Sequence, residues 1–159
     1  MHDAYAVVVQ QARDSRFFGE LEVPDTVDGR FEMVALHAFL VLRRLKGGSR
    51  ETSDFGQALF DVMFEDMDVS LREMGAGDMG VGKRVKAMVQ AFYGRVAAYE
   101  AGLANGSDAL EEALRRNVYR GVEPGDASVR ALAGYIDRQD RHLSTVAPDD
   151  IVAGRYAFA

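Results

Sequence analysis

The sequence predicts an all-α fold, a single-domain bundle of about six helices organised around a central antiparallel helical hairpin. Three observations carry that prediction. Apolar residues recur in steps of three and four through most of the chain, as one face of a helix requires. No stretch alternates apolar and polar side chains beside a hairpin turn signal, as a half-buried strand would. Glycine, proline and short polar residues fall between the periodic stretches, where caps and turns belong. No repeat, low-complexity tract or long linker divides the chain, so residues 1–159 read as one all-helical domain.

Ala4 to Arg13 reads as a short helix, although Val7, Val8 and Val9 would also suit a strand. Phe17 and Phe18 follow beside a stop at Gly19, and Leu21 to Val27 with Pro24 is a connector. A second helix begins near Asp25 or Thr26, whose short polar side chains can cap free backbone N–H groups. It runs through Phe31, Val34, Leu36 and Leu40 to Leu45, apolar almost all round, the pattern of an element buried on most sides. Arg43, Arg44 and Lys46 suit its C-terminal dipole, and Gly47-Gly48 ends it. Ser49 or Ser53 can cap the next helix.

The hairpin spans Phe60 to Arg95. In its first arm Asp61, Glu65 and Asp68 recur at i, i+4 and i+7 and share a face, while Phe60, Phe64, Met67, Leu71 and Met74 share another. Gly75, Gly77, Gly80 and Gly82 are expected to interrupt any helix, each costing about 1 kcal/mol in a helix interior. Lys83, Arg84 and Lys86 then open a second arm with the apolar stripe Val81, Val85, Met88, Phe92, Val96, Tyr99 and Leu103. Two amphipathic arms joined by a short corner pack antiparallel. Beyond Asn105-Gly106 a helix is expected over Asp108 to Arg120, stopped by Gly121, and another over Asp126 to Leu143 with Val129, Leu132, Ala133 and Ile136 buried. Pro148 opens a last turn, and Tyr156-Ala157-Phe158 is an apolar tail that docks back.

Composition excludes several function classes. The formal net charge is −6, which opposes general DNA binding, although a local basic patch remains allowed. Cysteine is absent, so disulfides, thiolate metal sites and cysteine nucleophiles are ruled out. Met1 to Phe18 lacks a basic start followed by an apolar run, so no secretory signal is expected. The most apolar stretch, Met33 to Leu42, is about half the length a membrane span needs.

The carboxylates Asp61, Glu65 and Asp68 have two readings. They form a solvated or ion-paired helix face, or they hold Mg²⁺ for isoprenoid-diphosphate or lipid chemistry, which requires an apolar cavity with Asp61 and Glu65 at its mouth. Lys83, Arg84 and Lys86 sit at the wrong end of their helix for its dipole, so anions must compensate. Either the acidic arm supplies them or an external partner does. Tyr93 falls off the apolar stripe and is expected to be exposed beside Arg95, a pairing suited to an interface anchor. His37 reads as a hydrogen-bonded core residue, with haem ligation as the alternative. No nucleophile elbow or phosphate loop occurs, and the glycine spacing from Gly75 to Gly80 lies between helices. Neither catalysis nor a bound cofactor or metal is expected.

These residues also carry a family likeness. The run from Phe60 to Tyr99, with its core FEDMD, LREMG and GDMGVGKRVK, resembles the ubiquinol–cytochrome c chaperone family, as do Val23 to Met33 and His37 to Arg44. The likeness extends over Tyr5 to Leu103. It implies a non-enzymatic assembly factor whose mitochondrial relatives bind newly made cytochrome b with a small partner protein near the ribosomal exit. The resemblance therefore implies a protein client as partner, cytochrome b or another membrane protein. Asp61, Glu65, Asp68, Lys83, Arg84, Lys86, Tyr93 and Arg95 are the residues expected to form the binding surface. The expected location is cytoplasmic and peripheral to the inner membrane in a bacterium, or the mitochondrial matrix in a eukaryote.

Overall fold

The computed structural model describes residues 2–73, 75 and 78–159. Met74 and Gly77, assigned above to the hairpin's stripe and corner, lie outside the described residues. Eight helices and no strand are found among the described residues: α1 (His2–Ala12), α2 (Ser15–Phe18), α3 (Val27–Leu45), α4 (Arg50–Glu73), α5 (Asp78–Asn105), α6 (Ser107–Asn117), α7 (Asp126–Ser144) and α8 (Pro148–Val152). The all-α expectation holds.

The helix that the others surround is α3. Thr26 caps it, its Oγ1 accepting from the Gly29 N–H at 3.1 Å. Every residue from Phe31 to Val41 is buried, so the all-round apolar pattern is that of a core helix. Helices α1, α4, α7 and α8 pack on its several sides. The Pro24 connector crosses its first turn so closely that a Cβ at Gly29 would lie 1.8 Å from the Pro24 carbonyl oxygen. Residues from all eight helices and the tail feed one continuous apolar core.

Helices α4 and α5 pack against each other along one flank of α3 rather than at the centre of the fold. Their seam is aromatic, with Phe92 ring-to-ring with Phe60 at 5.6 Å and with Phe64 at 6.0 Å. The Ser49 Oγ starts α4 by accepting from the Thr52 N–H at 3.3 Å. At the corner Gly75 adopts φ +86°, a left-handed conformation that glycine takes without penalty. Gly80 and Gly82 do not break the helix as expected; α5 begins at Asp78 and carries both in its first turns. Val81 is fully buried and Met88 nearly so, and that packing outweighs the glycine penalty.

Two local features tie the ends of the chain to the core. Phe17 and Phe18 form the last turn of the short helix α2, which stops at Gly19 as expected and is capped at its start by Asp14, which accepts from the Arg16 N–H at 3.0 Å. The buried Phe17 ring stands 5.1 Å from Tyr135, so tertiary packing holds a turn that propensity alone would not. The tail docks as expected. Tyr156 Oη donates to the Ala4 carbonyl at 2.9 Å, and the Gln139 side-chain amide bonds both the carbonyl and the N–H of Ala159.

Candidate functional site

The eight residues expected to form one surface fall on three sides of the hairpin. Asp61 and Glu65 are exposed on the outer face of α4, with Asp68 half-buried beside them. Gln57 donates to Asp61 at 3.0 Å, and Arg72 donates to Asp68 at 2.9 Å, four residues along the same helix. Glu65 has no hydrogen-bond or ion-pair partner among the described residues.

The basic residues of α5 are not neutralised by α4. Lys83 and Lys86 are exposed and have no partner among the described residues. Arg84 turns instead toward α3 and donates to Asp28 at 3.1 Å, in an exposed pair worth little. The reason is rotational. Residue 84 lies about 100° from residue 83 on the helix, far enough to point along the α3 side while its neighbours point outward.

Tyr93 and Arg95 do not form the expected exposed pair. Two residues apart on a helix means roughly 200° of rotation, so they lie on opposite sides. Tyr93 is 61% exposed and lies against Phe60, ring centroids 5.6 Å apart. Arg95 is largely enclosed: its Nε donates to both Glu32 oxygens at 2.6 and 2.7 Å, and its Nη1 donates to the Ala91 carbonyl at 3.1 Å. Burial lifts the Glu32 carboxyl above the usual range against the pull of Arg95, so desolvation outweighs pairing.

Each side of α5 therefore borders its own recess. One is an apolar groove of about 340 Å³ between α4 and α5, lined by Phe60, Phe92, Tyr93 and Val96 with Leu42 and Arg43 at its α3 end. There Arg43 bridges Glu100 and Asp140, tying α3 to α5 and α7. The other is a polar cleft of about 510 Å³ where α3, α5 and the end of α6 meet, lined by Asp28, Glu32, Arg84, Arg95 and Arg120. Sequence reasoning missed Glu32 and Arg120. A carboxylate inside the apolar run of α3 was the available signal, because a buried charge must find a partner.

The structure fits neither the Mg²⁺-binding reading of α4 nor the haem reading of His37. The groove beside α4 is lined from that helix by residues such as Gly56, Gln57 and Phe60, while Asp61 and Glu65 point outward, so the carboxylates form no mouth. No three His, Asp or Glu side chains among the described residues gather as a metal-holding group. His37 is fully buried, and both its ring nitrogens are engaged. Nδ1 lies 2.7 Å from the Met33 carbonyl, which can only accept, so Nδ1 carries the proton and Nε2 accepts from Tyr135 Oη at 2.7 Å. Tyr135 Oη accepts in turn from Gln11 at 2.9 Å, which completes the chain and leaves no nitrogen for haem.

Residues 19–158 match the family described as Ubiquinol-cytochrome C chaperone. The chain belongs to that family. The ubiquinol–cytochrome c chaperone fold is shared with the crystal structure of the Cbp3 homolog from Brucella abortus, at 40% identity and a TM-score of 0.88, covering 99% of this chain and 87% of that one. Ubiquinol-cytochrome-c reductase complex assembly factor 1 of Xenopus laevis is 24% identical over 148 residues, 93% of this chain and 74% of that protein. The same-named mouse protein is 24% identical over 148 residues, of which this chain spans only half the length. The likeness therefore reaches past Leu103, where the recognised motifs ended, into α6, α7 and the tail. No helix among the described residues of this chaperone-family chain is long and apolar enough to cross a membrane.

Proposed function

We propose that the chain is a non-enzymatic assembly chaperone for ubiquinol–cytochrome c reductase, and that its client is cytochrome b. The observation that carries the reading is the exposed Tyr93 ring beside an apolar groove, on a helix whose Lys83 and Lys86 have no partner among the described residues. Lys86 lies two turns before Tyr93 on the same side of α5, so aromatic anchor and positive charge face one partner together. Asp61, Glu65 and Asp68 supply the opposite charge on the neighbouring arm, and such patterned charge sets encounter rate and register more than raw affinity. Arg84 and Arg95 contribute on the far side of α5. The reading puts the protein at the membrane surface where its client inserts, on the cytoplasmic side in a bacterium or the matrix side in a mitochondrion.

Lys83→Glu/Lys86→Glu reverses two exposed charges without touching the core. Captured cytochrome b is expected to fall by about fivefold or more, with the thermal midpoint unchanged. Capture equal to wild type would sink the reading.

A further inference from the structure

The polar cleft on the far side of α5 has a feature that the hairpin surface lacks. Three guanidinium groups reach it, from Arg84, Arg95 and Arg120, against two carboxylates, Asp28 and Glu32. Arg95 grips Glu32 through two nitrogens, with Nη2 2.5 Å from Oε2, and Arg84 holds Asp28. That leaves Arg120, which is exposed and has no hydrogen-bond or ion-pair partner among the described residues, although its charge acts on Glu32. In a chain of net charge −6 this cleft keeps one positive charge in excess.

Its walls are unusual for a simple anion site. Met88 and Val118 are buried behind it, and Val122 stands 44% exposed at its edge. Apolar walls favour an acid carried on an apolar stem over a hydrated inorganic ion. The start of α3 at Thr26, Asp28 and Gly29 also opens here and adds the positive end of a 19-residue helix. Arg95 is pinned by Glu32 and by the Ala91 carbonyl, so its position is fixed before anything binds.

We propose that this cleft receives an aspartate or glutamate side chain, flanked by apolar residues, from the client protein. The proposal rests on the assembly-chaperone reading and adds to it a specific chemical determinant on the client. Arg120 makes the new ion pair at the rim, and the apolar wall around Val122 takes the flanking side chains. The hairpin groove with Tyr93 then binds the client's apolar face, and this cleft sets its register.

The test uses the full chain and two fluorescent peptides of identical Leu/Val-rich sequence, one with a central Glu and the other with Gln. The Glu peptide is expected to bind about tenfold more tightly, an advantage lost in Arg120→Glu and kept in Arg141→Glu on the outer face of α7. The preference should weaken between about 20 and 200 mM salt. Equal binding of the two peptides, binding of neither, or a preference surviving in Arg120→Glu overturns the proposal. So does Arg120-dependent binding to phosphatidylglycerol vesicles without peptide discrimination, which would assign the cleft to lipid. Cytochrome b capture separates the two levels. If Arg120→Glu captures normally while Lys83→Glu/Lys86→Glu does not, the cleft assignment fails and the chaperone reading stands. If the wild type captures none, the chaperone reading itself fails.

Discussion

Arg95→Ala is expected to cost about 3–5 kcal/mol of folding stability, far more than any charge change on the outer hairpin. The side chains of Arg95 and Glu32 are only 12% and 6% exposed, so the substitution strands a carboxylate where water cannot solvate it. The pair itself is not a large net stabiliser, since burial already holds the Glu32 carboxyl above its usual range despite the guanidinium beside it. Breaking one half is costly while removing both is not. Glu32→Leu/Arg95→Met is therefore expected to unfold within about 1 kcal/mol of wild type. Urea titrations of the two single variants and the double variant close the cycle. A single-variant loss below about 1 kcal/mol would show that the pair is solvated, contrary to the burial described.

The second large effect is on the pH dependence of stability. His37 is enclosed by the rings of Phe17, Tyr135 and Phe158, at 5.4, 5.7 and 5.1 Å. Burial pushes its imidazole from the usual 6.5 down to about 4, opposed only by the hydrogen bond to the Met33 carbonyl. Above pH 6.5 neither folded nor unfolded chain protonates this ring, so the full stability is present. Between 6.5 and 4 the unfolded chain takes a proton that the folded chain refuses, and stability falls with pH. By pH 4 the contribution to the loss is about 3 kcal/mol. His37→Gln removes the titration, so its stability should decline less steeply over that window, with carboxylate effects common to both proteins. Parallel declines for variant and wild type would mean that the imidazole is not held neutral.

Much of this was legible in the residues themselves. The core position of α3 follows from apolar residues on every side, and its start from Thr26. Both hairpin stripes were readable as three-and-four spacing. The sequence nevertheless pointed to the hairpin as the centre, although the all-round apolar pattern of α3 is itself the signal of a surrounded helix and the one-sided stripes of α4 and α5 that of a flank. The corner was also misread: glycine propensity argued against helix at Gly80 and Gly82, and the buried stripe that overrides it is a tertiary effect. The split of Tyr93 from Arg95 needed only helix geometry, whereas the Glu32 that holds Arg95 is 63 residues away. No local rule identifies that partner.

In the proposed chaperone, α4 and α5 present a docking surface on which Tyr93 meets the client. A photo-crosslinking residue placed at Tyr93, compared with one at the exposed Arg141 of α7, tests this most directly during complex assembly in cells. A cytochrome b adduct is expected from position 93 and none from position 141. Adducts from 141 but not from 93 would contradict it.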